Sequence, residues 1–145
     1  MNIRHRLELF NRHLNKYLIS NFFKLYNMEV ITITGSNSTT GKLDVSDNGK
    51  TFAPANDKIK WLLANGCGVD SITSMSKKPS PPEDPSVDIW SEPPHQIGGS
   101  KNWTATIKSS ARPGDEWNYY IYWKAKNGEI PPPFDPKIIV NTKIK

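Results

Sequence analysis

The chain changes its hydrophobic period near residue 28. Before that point, apolar residues recur every three or four positions, which is the spacing of one face of an α-helix. The residues on this stripe are Ile3, Leu7, Phe10, Leu14, Leu18, Phe22 and Leu25. After it, apolar and polar residues alternate, which is the period of half-buried β-strands. The pattern therefore predicts an amphipathic helix, or an N-terminal extension, over residues 1 to 27 and a β domain over residues 28 to 145.

Residues 28 to 145 contain short stretches with the strand pattern, which we call apolar rows, separated by turn residues. The rows are residues 30 to 34, Leu43 with Val45, residues 59 to 63, residues 103 to 107, residues 117 to 123 and Ile138 with Val140, with weaker rows at 71 to 76 and 87 to 90. Asn48-Gly49 is the favoured centre of a hairpin turn. Seven or eight short strands punctuated by Gly, Pro and Asn predict a single antiparallel Greek-key β-sandwich. Four tryptophans lie in phase with the apolar rows and are predicted to form core: Trp61, Trp103, Trp117 and Trp123.

The net charge of +5 is concentrated in the predicted helix. Residues 1 to 28 carry five basic residues and one acidic residue, whereas the rest of the chain carries 14 basic and 13 acidic residues. A basic amphipathic helix docks a protein partner, drives self-association, lies on a membrane surface or serves as a targeting presequence. Alternatively, it packs on its own domain or is an upstream extension ahead of Met28. The side chains expected to make such contacts are Arg4, Phe10, Arg12, Lys16 and Phe22. Because the β domain is nearly neutral, no nucleic acid partner is expected.

Several kinds of catalytic and metal site are excluded because the residue types they need are absent or occur only once. Cys67 is the single cysteine, so no intrachain disulfide and no cysteine-based zinc site is possible. His95 is the single histidine of the β domain. We therefore predict no enzyme activity, no catalytic residue, no metal site and no cofactor, with a small hydrolase that uses loop carboxylates such as Asp88 and Glu92 as an alternative. No signal peptide and no run of about 18 apolar residues is apparent, so the predicted location is cytoplasmic by default.

Aromatic residues supply the candidate contacts of the β domain. Tyr120 and Tyr122 are out of phase with the apolar row of their strand, so they project from its other surface. Trp90 and His95 lie in a proline-rich stretch that we interpret as a surface excursion or an edge. We predict a non-enzymatic binding or structural module that contacts another macromolecule, or itself, through these four residues. The alternatives are a carbohydrate-binding module that uses the same rings and a second packed layer over the two tyrosines.

The order of the strands suggests a relationship to a known fold. The run from Leu43 to Leu63 contains a strand, an Asn-Gly turn, Phe52-x-Pro54 and Asp57-Lys58-Ile59-Lys60-Trp61. The end of the chain contains Tyr120-Ile121-Tyr122-Trp123, a loop and Asp135-Pro136-Lys137-Ile138-Ile139-Val140. In this layout the chain resembles the cupredoxins, which implies a cupredoxin-like or immunoglobulin-like sandwich. A type-1 copper site needs two histidines and a cysteine thiolate. Trp123 stands where the ligand cysteine is expected, so the resemblance does not extend to copper.

Overall fold

The structure, a computed structural model, describes residues 11–12, 27–79 and 86–142 of the 145-residue chain. These ranges contain nine strands. They are β1 (Met28–Ser36), β2 (Leu43–Val45), β3 (Lys50–Pro54), β4 (Lys58–Leu63), β5 (Val69–Lys77), β6 (Trp90–Gln96), β7 (Trp103–Ile107), β8 (Glu116–Ala125) and β9 (Lys137–Asn141). The protein is therefore mainly β, with more strands than the seven or eight predicted. The strand that the sequence pattern missed is β3, which buries only Thr51 and Ala53.

The helix predicted over residues 1 to 27 lies outside the described residues, apart from residues 11, 12 and 27. Four of its candidate contact residues lie outside them as well: Arg4, Phe10, Lys16 and Phe22. Arg12 is exposed. Among the residues that the structure describes, no helix is long and apolar enough to span a bilayer. The helix and its contacts therefore stay predictions.

The strands form two sheets around one core, as the alternating rows predict. The larger sheet has five strands in the order β2-β1-β4-β7-β6, and the smaller has four in the order β3-β9-β8-β5. Along β8, buried residues alternate with half-buried or exposed ones over the whole strand. The same alternation places Ile59 and Trp61 of β4 in the core. Period-2 rows therefore identify the inner side of each sheet.

Two strand pairs are parallel, so the prediction of an entirely antiparallel sandwich is wrong. β1 runs parallel to β4, and β3 runs parallel to β9. Parallel neighbours need a crossover connection. The chain makes one by visiting the other sheet, because β3 lies between β1 and β4 in sequence but belongs to the four-stranded sheet. Alternation of residue types shows which side of a strand is buried and carries no information about its partner's direction.

The Asn48-Gly49 turn forms but does not close a hairpin. Both residues have positive φ, at 57° and 82°. The Lys50 amide donates a hydrogen bond to the Asp47 carbonyl over 3.2 Å, as a tight turn of this kind requires. The flanking strands then separate, because β2 pairs with β1 whereas β3 pairs with β9. The predicted turn is confirmed and the predicted hairpin is wrong, because the two flanking strands belong to different sheets.

Aromatic side chains contact one another in the core between the sheets. All four tryptophans predicted to be core are buried: Trp61, Trp103, Trp117 and Trp123. Trp61 Nε1 donates a hydrogen bond to the Tyr119 hydroxyl over 3.2 Å, and Trp117 stacks on Tyr119 with ring centroids 4.6 Å apart. Burial raises the pKa of Tyr119 well above its ordinary value, because the phenolate would be desolvated there. Tyr119 is therefore held in the core in its neutral form.

Candidate binding face on the four-stranded sheet

The outer surface of the four-stranded sheet brings lysines and aromatic side chains together. Strand pairing aligns the outward residues of β3, β9 and β8 in rows across the sheet, and the row continues to Lys78 just after β5. We call this surface the lysine–tyrosine face. It consists of Lys50, Phe52, Lys78, Glu116, Asn118, Tyr120, Tyr122, Lys137 and Ile139.

One row of the face carries three lysines. Lys50 lies directly opposite Lys137 in the β3–β9 pair, and Lys137 lies opposite Asn118 of β8. The Lys78 amide donates a hydrogen bond to the Asn118 carbonyl over 2.9 Å, which continues the row. Like charges in direct cross-strand register are destabilising. The register therefore places two like charges side by side on this surface.

The lysines of this row differ in their partners. Lys78 forms an ion pair with Asp135, whose Oδ2 lies 2.7 Å from its Nζ. Among the residues that the structure describes, no carboxylate forms an ion pair with Lys50 or Lys137. Lys50 and Lys137 therefore lie side by side in strand register without an ion pair from this part of the chain.

Aromatic rings lie on both sides of the lysine row. Lys50 Nζ is 5.3 Å from the centre of the Phe52 ring, and Lys78 Nζ is 5.5 Å from the centre of the Tyr120 ring. The rings of Tyr120 and Tyr122 meet edge to face, with centroids 5.9 Å apart and planes at 75°. Phe52 is 48% exposed and Tyr122 is 37% exposed. These rings offer apolar contact area beside the charges.

Two shallow depressions follow the same surface. The first has a volume of about 340 Å³. It is lined by Gly49, Lys78, Asn118, Asp135, Pro136 and Lys137. The second, of about 170 Å³, lies between Tyr122 and Ile130, and Ile130 is 85% exposed. The face is thus an open surface with a polar half and an apolar half, which suits contact with a macromolecule better than enclosure of a small molecule.

Trp90 is buried, contrary to the prediction of an exposed loop residue. It begins β6, is only 8% exposed and packs edge to face on Trp117 with ring centroids 5.0 Å apart. Its strand neighbour is Ile107 of β7, which is also buried. The prolines that indicated a loop, Pro93 and Pro94, lie in this edge strand, where a missing N–H is tolerated. The interpretation of this stretch as an edge is confirmed.

The structure does not bring the four predicted contact residues together. His95 lies opposite Thr104 in the β6–β7 pair, on the outer side of the five-stranded sheet, and its Nδ1 is 2.8 Å from the Pro93 carbonyl. Tyr120 and Tyr122 lie on the outer side of the four-stranded sheet. His95 and the tyrosines therefore face opposite directions, so they do not form one site.

Several acidic side chains are engaged in local structure. Asp88 accepts a hydrogen bond from the Trp90 amide over 3.1 Å. Asp115 accepts one from the Arg112 amide over 2.9 Å. Within the described part of the chain, no three His, Cys, Asp or Glu side chains gather where they could hold a metal ion.

Sequence reasoning identified the two tyrosines of the face but missed its lysines. Lys50 and Lys137 are far apart in the chain, and only the parallel pairing of β3 with β9 makes them neighbours. No pattern in the sequence around either lysine indicates that the two are neighbours. Comparison with known proteins adds no relative: no family model matches this chain, and no curated protein matches it either.

Proposed function

We propose that the protein is a non-enzymatic binding module that holds an acidic segment of a protein partner on its lysine–tyrosine face. The observation that carries the proposal is the cross-strand register of Lys50 and Lys137, neither of which has an ion-pair partner in the described part of the chain. An acidic partner would convert their mutual repulsion into attraction. Phe52 and Tyr122 would supply the apolar contact that gives such an interface its affinity.

The test compares charge reversal on the two outer surfaces of the sandwich. The probe is a fluorescein-labelled oligoglutamate peptide, and binding is measured by fluorescence anisotropy at low ionic strength. The double variant Lys50→Glu/Lys137→Glu should weaken binding by about tenfold or more, because each reversal replaces an attraction by a repulsion. Added salt should weaken binding of the unmodified protein as well.

The matched control is Lys58→Glu/Lys60→Glu. Lys58 and Lys60 lie on β4 of the other sheet, where they face Thr106 and Thr104 rather than another lysine. The control changes the net charge by the same amount and should leave probe binding within about twofold of the unmodified protein. Equal losses in both double variants would show that only net charge matters and would contradict the proposal.

A single-stranded oligonucleotide and a panel of neutral glycans complete the experiment. Preferential binding of the oligonucleotide over oligoglutamate would reject the acidic protein segment as the partner class. Binding of a neutral glycan that persists in Lys50→Glu/Lys137→Glu would instead support the carbohydrate-binding alternative. That alternative retains only Tyr120 and Tyr122, since Trp90 is buried.

Three further expectations from the sequence remain proposals. They are the docking or self-associating role of residues 1 to 27, the Greek-key classification and the relationship to the cupredoxins. For the last of these, Trp123 fills the position of the expected ligand cysteine. It is 1% exposed, and its Nε1 donates a hydrogen bond to the Gly41 carbonyl over 3.2 Å.

A further inference from the structure

The apolar half of the lysine–tyrosine face contains a depression of a size that suits a single side chain. Its volume is about 170 Å³, below the range of about 300–1,000 Å³ that is typical of small-molecule sites. A depression of this size accommodates one side chain of a partner rather than a separate molecule. We call it the anchor depression, and it is lined by Thr73, Tyr122, Trp123, Lys124, Ile130 and Pro131.

Ile130 forms the accessible wall of the anchor depression. Its side chain is 85% exposed, more than any other large apolar side chain that the structure describes. The turn before it is nevertheless ordered, because the Ala125 amide donates a hydrogen bond to the Glu129 carbonyl over 3.0 Å and the Gly128 amide donates one to the Ala125 carbonyl over 2.9 Å. Removing an isoleucine side chain from water is favourable. A partner that covers Ile130 therefore gains affinity without first having to order this turn.

The buried residues of the anchor depression are held in place by the core. Trp123 is 1% exposed, and its Nε1 donates a hydrogen bond to the Gly41 carbonyl over 3.2 Å. A Cβ atom on Gly41 would overlap the Pro132 carbonyl, so this glycine lets its loop lie directly against the proline segment. These contacts fix the position of the neighbouring Pro131, which is buried. The depression is therefore formed before any partner binds, which lowers the cost of binding.

The residues on the outer side of β8 give an acidic segment one direction across the face. Asn118 lies opposite Lys137 in the β8–β9 pair. From Asn118, Glu116 lies two residues to one side, whereas Tyr120 and then Tyr122 lie to the other. Glu116 repels a segment that carries carboxylates. A segment whose carboxylates contact Lys137 therefore continues towards the two tyrosines and the anchor depression.

Two further charged groups beside this path do not oppose an acidic segment. Asp135 forms an ion pair with Lys78, so its charge is compensated by the protein itself. Lys124, which lines the anchor depression, forms no ion pair with the residues that the structure describes. The path therefore begins and ends beside positive charges.

Strand geometry sets the distance between the lysines and the anchor depression. Tyr122 lies four residues beyond Asn118 on β8, and a strand rises about 3.3 Å per residue, so the two are about 13 Å apart. Lys137 lies on the neighbouring strand, about 4.8 Å to the side. A segment rich in like charges is extended because its charges repel one another. An extended segment covers the resulting diagonal of about 14 Å with about four residues.

We propose that the anchor depression receives one large apolar side chain of the acidic segment, four residues away from a carboxylate that contacts Lys137. The inference rests on the proposed function, because it assigns a second contact to the same segment. Tyr122 and Ile130 then determine specificity. The lysines select for negative charge, and the depression selects those acidic segments that carry an apolar residue at the matching distance. Oligoglutamate has no such side chain and leaves the depression empty.

The experiment measures binding of fluorescein-labelled peptides to the full-length chain by fluorescence anisotropy. The leucine peptide has four glutamates, a three-residue Gly/Ser spacer and a final amidated leucine, and the serine peptide ends in serine instead. The leucine peptide should bind about tenfold more tightly, as expected for burial of a leucine side chain. A spacer of nine prolines is a stiff rod of about 28 Å, so leucine can no longer reach the depression while the glutamates contact the lysines. With this spacer, the advantage of leucine over serine should fall to within about twofold.

The variant Ile130→Ser removes the accessible wall of the depression. It should reduce the advantage of the leucine peptide to within about twofold and leave the affinity for the serine peptide unchanged. The matched control is Val30→Ser, which removes a side chain that is 40% exposed on the outer side of the five-stranded sheet and should preserve the full advantage. The two peptides and Ile130→Ser form a double-mutant cycle that isolates the contact between leucine and Ile130. Thermal unfolding checks that both variants are folded.

Failure of this inference and failure of the proposed function give different results. Equal binding of the leucine and serine peptides would overturn the inference, as would an advantage of leucine that persists in Ile130→Ser or with the proline spacer. The proposed function would still stand in these cases if Lys50→Glu/Lys137→Glu weakened binding of the serine peptide. If that double variant bound the serine peptide as tightly as the unmodified protein does, the proposed function and this inference would both be overturned.

Discussion

The two sides of β8 show how one strand separates stability from binding. On the inner side, Trp117, Tyr119, Ile121 and Trp123 are all at most 5% exposed. On the outer side, the same strand carries Glu116, Asn118, Tyr120, Tyr122 and Lys124, which are half-buried or exposed. Both sides carry aromatic rings, so the presence of a ring does not by itself show which side is buried. The phase of each residue in the strand decides whether its ring fills the core or faces a partner.

The largest expected loss of stability comes from a substitution on the inner side of β8. Trp123→Ala removes a ring that is 1% exposed and leaves the Gly41 carbonyl without its hydrogen bond. We expect a loss of about 3–5 kcal/mol in the free energy of unfolding, measured by urea titration. Trp123→Phe keeps most of the volume and should lose less. If Trp123→Ala cost no more than an outer-side substitution, the contrast between the two sides of β8 would be wrong.

A smaller effect is expected at Tyr119, whose hydroxyl accepts the hydrogen bond from Trp61 Nε1. Tyr119→Phe keeps the ring but leaves this buried N–H unpaired, which should cost about 1–3 kcal/mol in the free energy of unfolding. The stabilities of the unmodified protein and of Tyr119→Phe can also be compared as a function of pH. Since the folded-state pKa of Tyr119 is raised, its stabilising effect holds below the unfolded-state pKa of about 10 and is lost as the pH rises above it. The stability difference between the two proteins should therefore narrow above about pH 10, and a constant difference would contradict the assignment.

The smallest change in stability is expected on the outer side. Tyr122→Ala removes a side chain that is 37% exposed, so the free energy of unfolding should change by less than about 1 kcal/mol. Affinity for the oligoglutamate probe should nevertheless fall by a few-fold, because the ring contributes apolar contact beside the lysines. If Tyr122→Ala lost stability but bound the probe with unchanged affinity, the role of Tyr122 would be packing rather than binding.

The sequence predicted those features that depend on neighbouring residues. The alternation around Trp61 and Trp117 placed both in the core, and Asn48-Gly49 predicted a turn that the structure contains. Features that depend on remote pairing were missed. The proline-rich stretch around Trp90 predicts a surface position for this residue, whereas its burial depends on contact with Trp117.

The same distinction applies to the candidate site. The outward phase of Tyr120 and Tyr122 is a property of β8 alone and could be predicted from the sequence. The register of Lys50 with Lys137 is a property of the β3–β9 pair. Nothing in the residues around either lysine indicates the other, so a charge row across strands could not be found by inspecting segments one at a time.

The position of β9 has a consequence for the order of folding. β9 comes last among the nine strands of the described residues, yet it lies inside the four-stranded sheet, between β3 and β8. β3 has no other strand neighbour in that sheet, so it has to wait until β9 is available before it can complete its pairing. Contacts between such distant segments slow folding, because a long loop has to close before they form. During synthesis, the five-stranded sheet can therefore assemble from residues already made while β3 stays unpaired, and closure of the sandwich becomes a late step that requires β9.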